Sequence, residues 1–207
     1  MTITDIQKQT NKNIQEKANL IWNIATHLVG LYKPHQYGNV ILPFTVLKRF
    51  DDILKKTKSM VISQADSLKK MPIDDNLKDT ILRKTSGYDF YNTSKFDFEK
   101  LAADSENIES NFNDYLMGFS DNVKDIIANF KLADEVKTLA ENGKLYIVIQ
   151  EFNSTNADMS LEKITSTDMG YIFEELIRKF SESYDEQAGA HFTARDIIYL
   201  MTELLIA

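Results

Sequence analysis

The chain contains no cysteine. That excludes disulfides, thiolate metal sites and thiol nucleophiles together, and it fits a reducing compartment. There are only three prolines, Pro34, Pro43 and Pro72, with no Pro-Pro pair and none following an asparagine. The seven glycines, at 30, 38, 87, 118, 143, 170 and 189, are never closer than eight residues. Neither a phosphate-cradling P-loop nor a GxGxxG dinucleotide turn can be built from them. His27, His35 and His191 form no HExxH pattern, and without cysteine a metal site would have to be assembled from scattered carboxylates. No stretch approaches the roughly 18 continuous apolar residues of a membrane helix. The first residues lack a basic start followed by an apolar run, so a cytoplasmic protein without membrane contact is expected.

What is present is charge, unevenly placed. The net charge is -7 over 207 residues, yet residues 1–70 carry 11 Lys and Arg against 5 Asp and Glu, while the remainder carries 13 against 26. The front third could face DNA or an acidic partner, since phosphate binding needs clustered cations. Lys33, Tyr37, Lys48, Arg49, Lys55 and Lys56 are the candidates for such contacts. The plainer reading makes Lys48, Arg49, Lys55, Lys56 and Lys58 the solvated side of a helix. Adjacent acids such as Asp51-Asp52 and Glu174-Glu175 point in different directions on a helix, which favours solvated surface over an acid/base couple.

Apolar spacing predicts helices almost throughout. Ile14, Ala18, Ile21, Ala25, Leu28 and Tyr32 form one helical stripe, and Val40, Phe44, Leu47, Phe50 and Leu54 form another after a polar loop, KPHQYGN. Pro43 should sit in the first turn of that second helix or kink it. Residues 59–70 read as a weaker helix, and Asp74 or Asp75 should cap one ending near Gly87. YDFYNTSKFDFEKL reads as a loop or short extended piece that packs Phe90, Phe96 and Phe98 inward. Helices are expected at about 106–117, 121–130, 133–142 and 144–153. The last contains Tyr-Ile-Val-Ile, a run that propensity assigns to a strand, but Leu145, Val148, Ile149 and Phe152 recur at helical spacing. A helix over 168–181 should bury Met169, Ile172, Phe173, Leu176, Ile177 and Phe180, with Ser166 or Thr167 as its cap. Thr193-Ala-Arg-Asp196 then fits the start of a final helix carrying Ile197, Ile198, Met201, Leu204 and Leu205. Its stripe is still running at Ala207, so these residues are expected to be the front of a longer protein. The expected class is all-α, a multi-helix, bundle-like domain over 1–166, followed by a helical segment, 167–207.

Three stretches carry a family likeness: ANLIWNIATHLVGLYKPHQYGNVILPFTVLKRFDDIL (18–54), FYNTSKFDFEKLAAD with NIESNFNDYLMGFSDNVKDII (90–127), and MGYIFEELIRKFSESYDEQAGAHFTARDIIYLMTELL (169–205). Together, and in this order, they resemble the N-terminal part of the modification subunit of type I restriction-modification systems, which are adenine-specific DNA methyltransferases. The resemblance implies that an α/β Rossmann-like domain follows, with the S-adenosyl-L-methionine loop and an Asn-Pro-Pro-aromatic motif for a flipped adenine; neither motif occurs in these 207 residues. It also implies that AHFTAR, namely Ala190, His191, Phe192, Thr193, Ala194 and Arg195, is the part of the cofactor site present here. Free N–H groups at a helix start would receive the methionine carboxylate. Ala190 stands where the family commonly has Glu or Gln, and Ala194 where it has Pro, which removes preorganisation of the turn.

The implied partners are double-stranded DNA, the specificity subunit, a second modification subunit and the restriction subunit. By this resemblance the parent subunit is an enzyme, while the 207-residue chain alone is expected to be inactive and to bind no cofactor. A second reading, from the residues alone, is a stand-alone helical module that binds protein or DNA without a cofactor.

Overall fold

The computed structural model describes residues 3–182 and 195–206, with side chains described for 14–182 and 197–206. Among the described residues there are eleven α-helices, three short 3-10 turns and no strand. The class is all-α, as the spacing predicts.

The first helix, α1 (Ile3–Ile24), buries Ala18, Ile21 and Ile24. It does not run on to Tyr32. A 3-10 turn over Ala25–Leu28 follows, and the N–H groups of Leu31 and Tyr32 both donate to the Leu28 carbonyl, at 3.1 and 3.0 Å. Side chains three apart eclipse in a 3-10 turn, so Ala25 and Leu28 still face inward and the apolar stripe survives the change of helix type. KPHQYGN is likewise not all loop. Pro34–Gln36 is a 3-10 turn, and α2 (Tyr37–Leu54) begins inside it, placing Pro43 at its seventh position, past the first turn. One ladder hydrogen bond is given up there.

Helices α3 (Lys58–Leu68) and α4 (Asp75–Ser86) form a hairpin with its own small core of Val61, Ala65, Leu68 and Leu82. Asp74 caps α4 by accepting from the Asn76 N–H at 2.9 Å, and Gly87 ends it at φ 78°, a left-handed geometry that glycine adopts at no steric cost. The following segment contains a helix that periodicity cannot show. This is α5 (Phe98–Ala102), capped by Asp97 accepting from the Lys100 N–H at 2.8 Å. Five residues are too few to repeat an apolar face. Phe98 is fully buried, while Phe90 and Phe96 are partly so.

Four helices follow close to their expected places: α6 (Ile108–Met117), α7 (Asp121–Asn129), α8 (Leu132–Glu141) and α9 (Leu145–Phe152). All four apolar positions of α9 are fully buried. Packing of that face outweighs the strand preference of Tyr-Ile-Val-Ile. The next helix, α10 (Ser166–Glu182), is capped one residue earlier than expected. The Thr165 hydroxyl accepts from the Asp168 N–H at 3.1 Å, and the Asp168 carboxylate accepts from the Thr165 N–H at 3.0 Å, a reciprocal capping box. Met169, Ile172, Leu176 and Phe180 are buried, but Ile177 is exposed. The final helix, α11 (Arg195–Ile206), spans the expected C-terminal stripe.

One core joins α1, α2 and α5 through α10, with α10 lying along α1 and Phe180 against Trp22 at 5.3 Å. Its centre is aromatic. Phe44 stacks on Phe112 and Phe152 at 5.3 and 6.0 Å, and Tyr115 meets Phe98 and Phe119 edge-on.

The loop ahead of α5 is held against the α6–α7 turn. Asn92 donates to the Tyr115 carbonyl at 2.9 Å, and Thr93 N–H donates to the Gly118 carbonyl at 2.8 Å. The approach is close enough that a Cβ on Gly118 would lie 2.5 Å from the Ser94 nitrogen and 2.6 Å from Asn92 Oδ1. Gly118→Ala is therefore expected to destabilise by about 3 kcal/mol, because backbone atoms cannot give way as a side-chain tip can. Gly170→Ala, with nothing within 4 Å of its Cβ, should stabilise α10 by about 0.5–1 kcal/mol. Urea unfolding of the two variants beside the parent chain measures both, and equal midpoints would contradict the close approach.

Candidate functional site

Of the expected cofactor segment, residues 190–194 lie outside the described residues. Arg195 is the first residue of α11. The candidates for DNA or partner contact fall into two groups. Lys33 is exposed, and its backbone N–H donates to the Gln36 side chain at 3.0 Å. Lys55 and Lys56 are open to solvent, with side-chain exposures of 72% and 78%. Lys55 is 3.5 Å from Glu99, and Lys56 pairs with Glu162. Tyr37, by contrast, is buried, and so are Lys48 and Arg49, each 7% exposed.

The burial of Lys48 and Arg49 corrects the picture of a solvated helix side. Helix α2 buries residues on nearly every face: Val40, Ile41, Phe44, Thr45, Leu47, Lys48, Arg49, Asp51 and Leu54. A helix apolar around its circumference is a core helix, and the ions on it go inside with it. Asp51 is 8% exposed and the Asp52 side chain 9%, so the adjacent acids are not solvated surface either. They do not act as a couple. Each reaches a different partner, as residues one apart on a helix must.

Asp52 accepts from Lys48 Nζ at 2.8 Å through Oδ1 and from the Met159 N–H at 2.8 Å through Oδ2. The Arg49 guanidinium donates to the Met159 carbonyl. Both backbone groups of Met159, whose side chain is fully buried, are thus held by α2. On the other side, Asp51 Oδ2 accepts from the Phe98 N–H at 3.1 Å, and Lys58 donates to the Phe96 carbonyl. The ammonium of Lys48 stands 5.6 Å from the Phe98 ring and that of Lys58 5.0 Å from the Tyr115 ring. Burial draws the pKa values of Arg49 and Lys58 below their ordinary ones, against the pull of Asp52 and Asp51 respectively. Burial likewise pushes the Asp51 carboxyl up to about 6.

Lys48, Asp51, Asp52 and Lys58 line a cavity of about 250 Å³ whose wall also includes Lys55, Asp97, Glu99, Lys100 and Asn153. Four lysines and four carboxylates face it, so it favours neither anions nor cations. Among the described residues no group of His, Cys, Asp and Glu could hold a metal ion. The arrangement is a clamp: α2 fixes the loop before α5 on one flank and the Met159 segment on the other. Spacing does not reveal Asp51, Asp52 and Lys58 as clamp residues, but the apolar encirclement of α2 carries the signal, since ions on such a helix need partners indoors.

Two other surfaces stand out. A groove of about 690 Å³ runs beside Leu42, Phe130, Ile177 and Phe180. Helix α11 exposes every large apolar side chain it carries, from 47% at Ile198 to 84% at Leu205. No helix among the described residues is long and apolar enough to cross a membrane.

The fold and its clamp define an all-helical domain whose central helix carries the ions that hold two distant loops. The chain belongs to the family of the HsdM N-terminal domain, whose model matches residues 17–152. This is the N-terminal domain of the modification subunit of type I restriction-modification systems, a methyltransferase subunit family. No curated protein and no solved structure matches the chain.

Asp52→Ala would strand the Lys48 ammonium and the Met159 N–H together. Removing one partner of a buried pair costs about 3–5 kcal/mol, and the same loss is expected here by chemical denaturation. Lys56→Ala removes only an exposed pair and should leave the midpoint unmoved. A mild Asp52→Ala would mean that water replaces the carboxylate.

Proposed function

We propose that this chain is the helical front of an adenine-N6 DNA methyltransferase subunit that uses S-adenosyl-L-methionine and acts only in a complex. The family match over residues 17–152 carries this reading. In it, the helical domain supplies contacts to double-stranded DNA and to the specificity subunit, beside a second modification subunit and the restriction subunit. The residues 190–195 supply one edge of the cofactor site, and the reacting groups belong to a domain beyond α11. The cytoplasm is the compartment where such a complex meets its DNA.

Of the candidate cations, those placed to reach phosphate are Lys33, Lys55 and Lys56, because Lys48 and Arg49 are committed to Asp52 and Met159. In the assembled complex, Lys55→Glu with Lys56→Glu should weaken DNA binding about tenfold at moderate salt and flatten its salt dependence. Titration of labelled duplex at several salt concentrations measures this, and an unchanged slope would move the DNA-facing surface elsewhere. The 207-residue chain by itself should transfer no methyl group. Appearance of N6-methyladenine after incubation with DNA and S-adenosyl-L-methionine would overturn the assignment of the chemistry to a missing domain. Failure to associate with a specificity subunit would favour a stand-alone binding module.

A further inference from the structure

Two polar atoms of the clamp have no partner. Asp51 Oδ1 and the Tyr115 hydroxyl are both buried, near enough to influence each other, yet neither makes a hydrogen bond of acceptable geometry. The nearest cations are engaged elsewhere. Lys48 is on Asp52, and Lys58 is on the Phe96 carbonyl. Lys58 is nonetheless the charged group that most strongly opposes the burial of Asp51, and Asp51 is the group that most strongly supports the Lys58 charge. The ammonium therefore holds a neutral carbonyl and shares the wall of one cavity with a carboxyl that it does not hold.

We propose that Lys58 and Asp51 form a proton-controlled latch on the loop before α5. With Asp51 protonated, Lys58 has no competing anion and holds the Phe96 carbonyl, while the Asp51 hydroxyl can turn to Tyr115. With Asp51 ionised, the buried anion draws the ammonium from Phe96 onto Oδ1, and residues 93–97 lose their tether to α3. Both acceptors take a bond from the same charged donor, but only the ionised carboxylate adds a full opposite charge, and that short-range attraction inside the protein gives the exchange its direction. The other charged or titratable groups around Asp51 are Lys48 and Asp52 on α2, Lys55 just after it, Asp97 ahead of α5, Glu99 and Lys100 on α5, and Tyr115 on α6. None of them supplies Oδ1 with a partner.

The sign follows from burial. The folded carboxyl, held up at about 6, binds its proton more tightly than the ordinary 3.8. The latched form is thus favoured at low pH and is lost as pH rises through about 6.

Hydrogen exchange of the full chain, corrected for the pH dependence of intrinsic exchange, tests this when followed with the Asp51 side-chain carbon signal by NMR. Protection of residues 93–97 should fall about tenfold between pH 5 and pH 7.5, the worth of one hydrogen bond from a charged donor, and should track the Asp51 titration, while the Phe98 N–H stays held by the Asp51 carboxylate. Asp51→Asn, nearly isosteric and never charged, should keep the loop protected at both pH values. Lys58→Met should leave it unprotected at both. Protection in the parent chain that is independent of pH overturns the latch, as does a pH-dependent loss that persists in Asp51→Asn. The parent measurement decides the matter even if a variant fails to fold.

Discussion

An ion taken out of water must find compensation within the fold, and α2 takes four of its charged side chains indoors. The helix lies where apolar neighbours surround it, so Lys48, Arg49, Asp51 and Asp52 cannot be hydrated from outside. Their partners are the pair Lys48–Asp52 and the backbone groups of Phe98 and Met159. The desolvation that threatens the core thereby ties down two irregular segments, the loop before α5 and the Met159 stretch. A buried ion pair is a weak source of net stability, whereas leaving one partner alone is strongly destabilising. The clamp is best understood as setting where the loops must lie.

The aromatic centre of the core works with this polar frame. Phe98 is fixed by its backbone on Asp51 and by its ring between Tyr115 and Phe152. The loop before α5 is pressed so closely on Gly118 that no side chain fits between. Close approach and charge burial meet within a few residues, the stretch where the chain departs most from regular helix.

Much of this was legible in the sequence. Period 3.6 located most helices within a few residues, including α9 against its strand propensity, and Asp74 with Gly87 marked both ends of α4. Spacing failed where it had too little to repeat, as in the five residues of α5, or too much. On α2 apolar residues occur on all sides, so no one face stands out and charged residues between them look like a surface. A hydroxyl cap one residue before the expected one, at Thr165, escaped because three hydroxyl residues stand in a row and only Asp168 discriminates among them. The family was legible in a different way: of the three separated stretches that carried the likeness, the match over 17–152 covers 18–54 and 90–127. The direction of Arg49 and Asp52 was not legible, because it depends on Met159, over a hundred positions away.

That distance orders the birth of the molecule. During synthesis α2 leaves the ribosome long before Met159 exists, so Arg49 and Asp52 have no backbone to hold and stay hydrated. The aromatic side chain of Phe44, destined for the centre of the core, waits with them. Non-local contacts of this kind slow folding, because a long loop must close before the contact repays it. The family match ends at residue 152, yet Met159, Ile164, Ile172 and Leu176 are fully buried in the same core. The unit that folds is longer than the unit that inheritance marks, and a nascent chain released near residue 152 would carry an open seam down its middle.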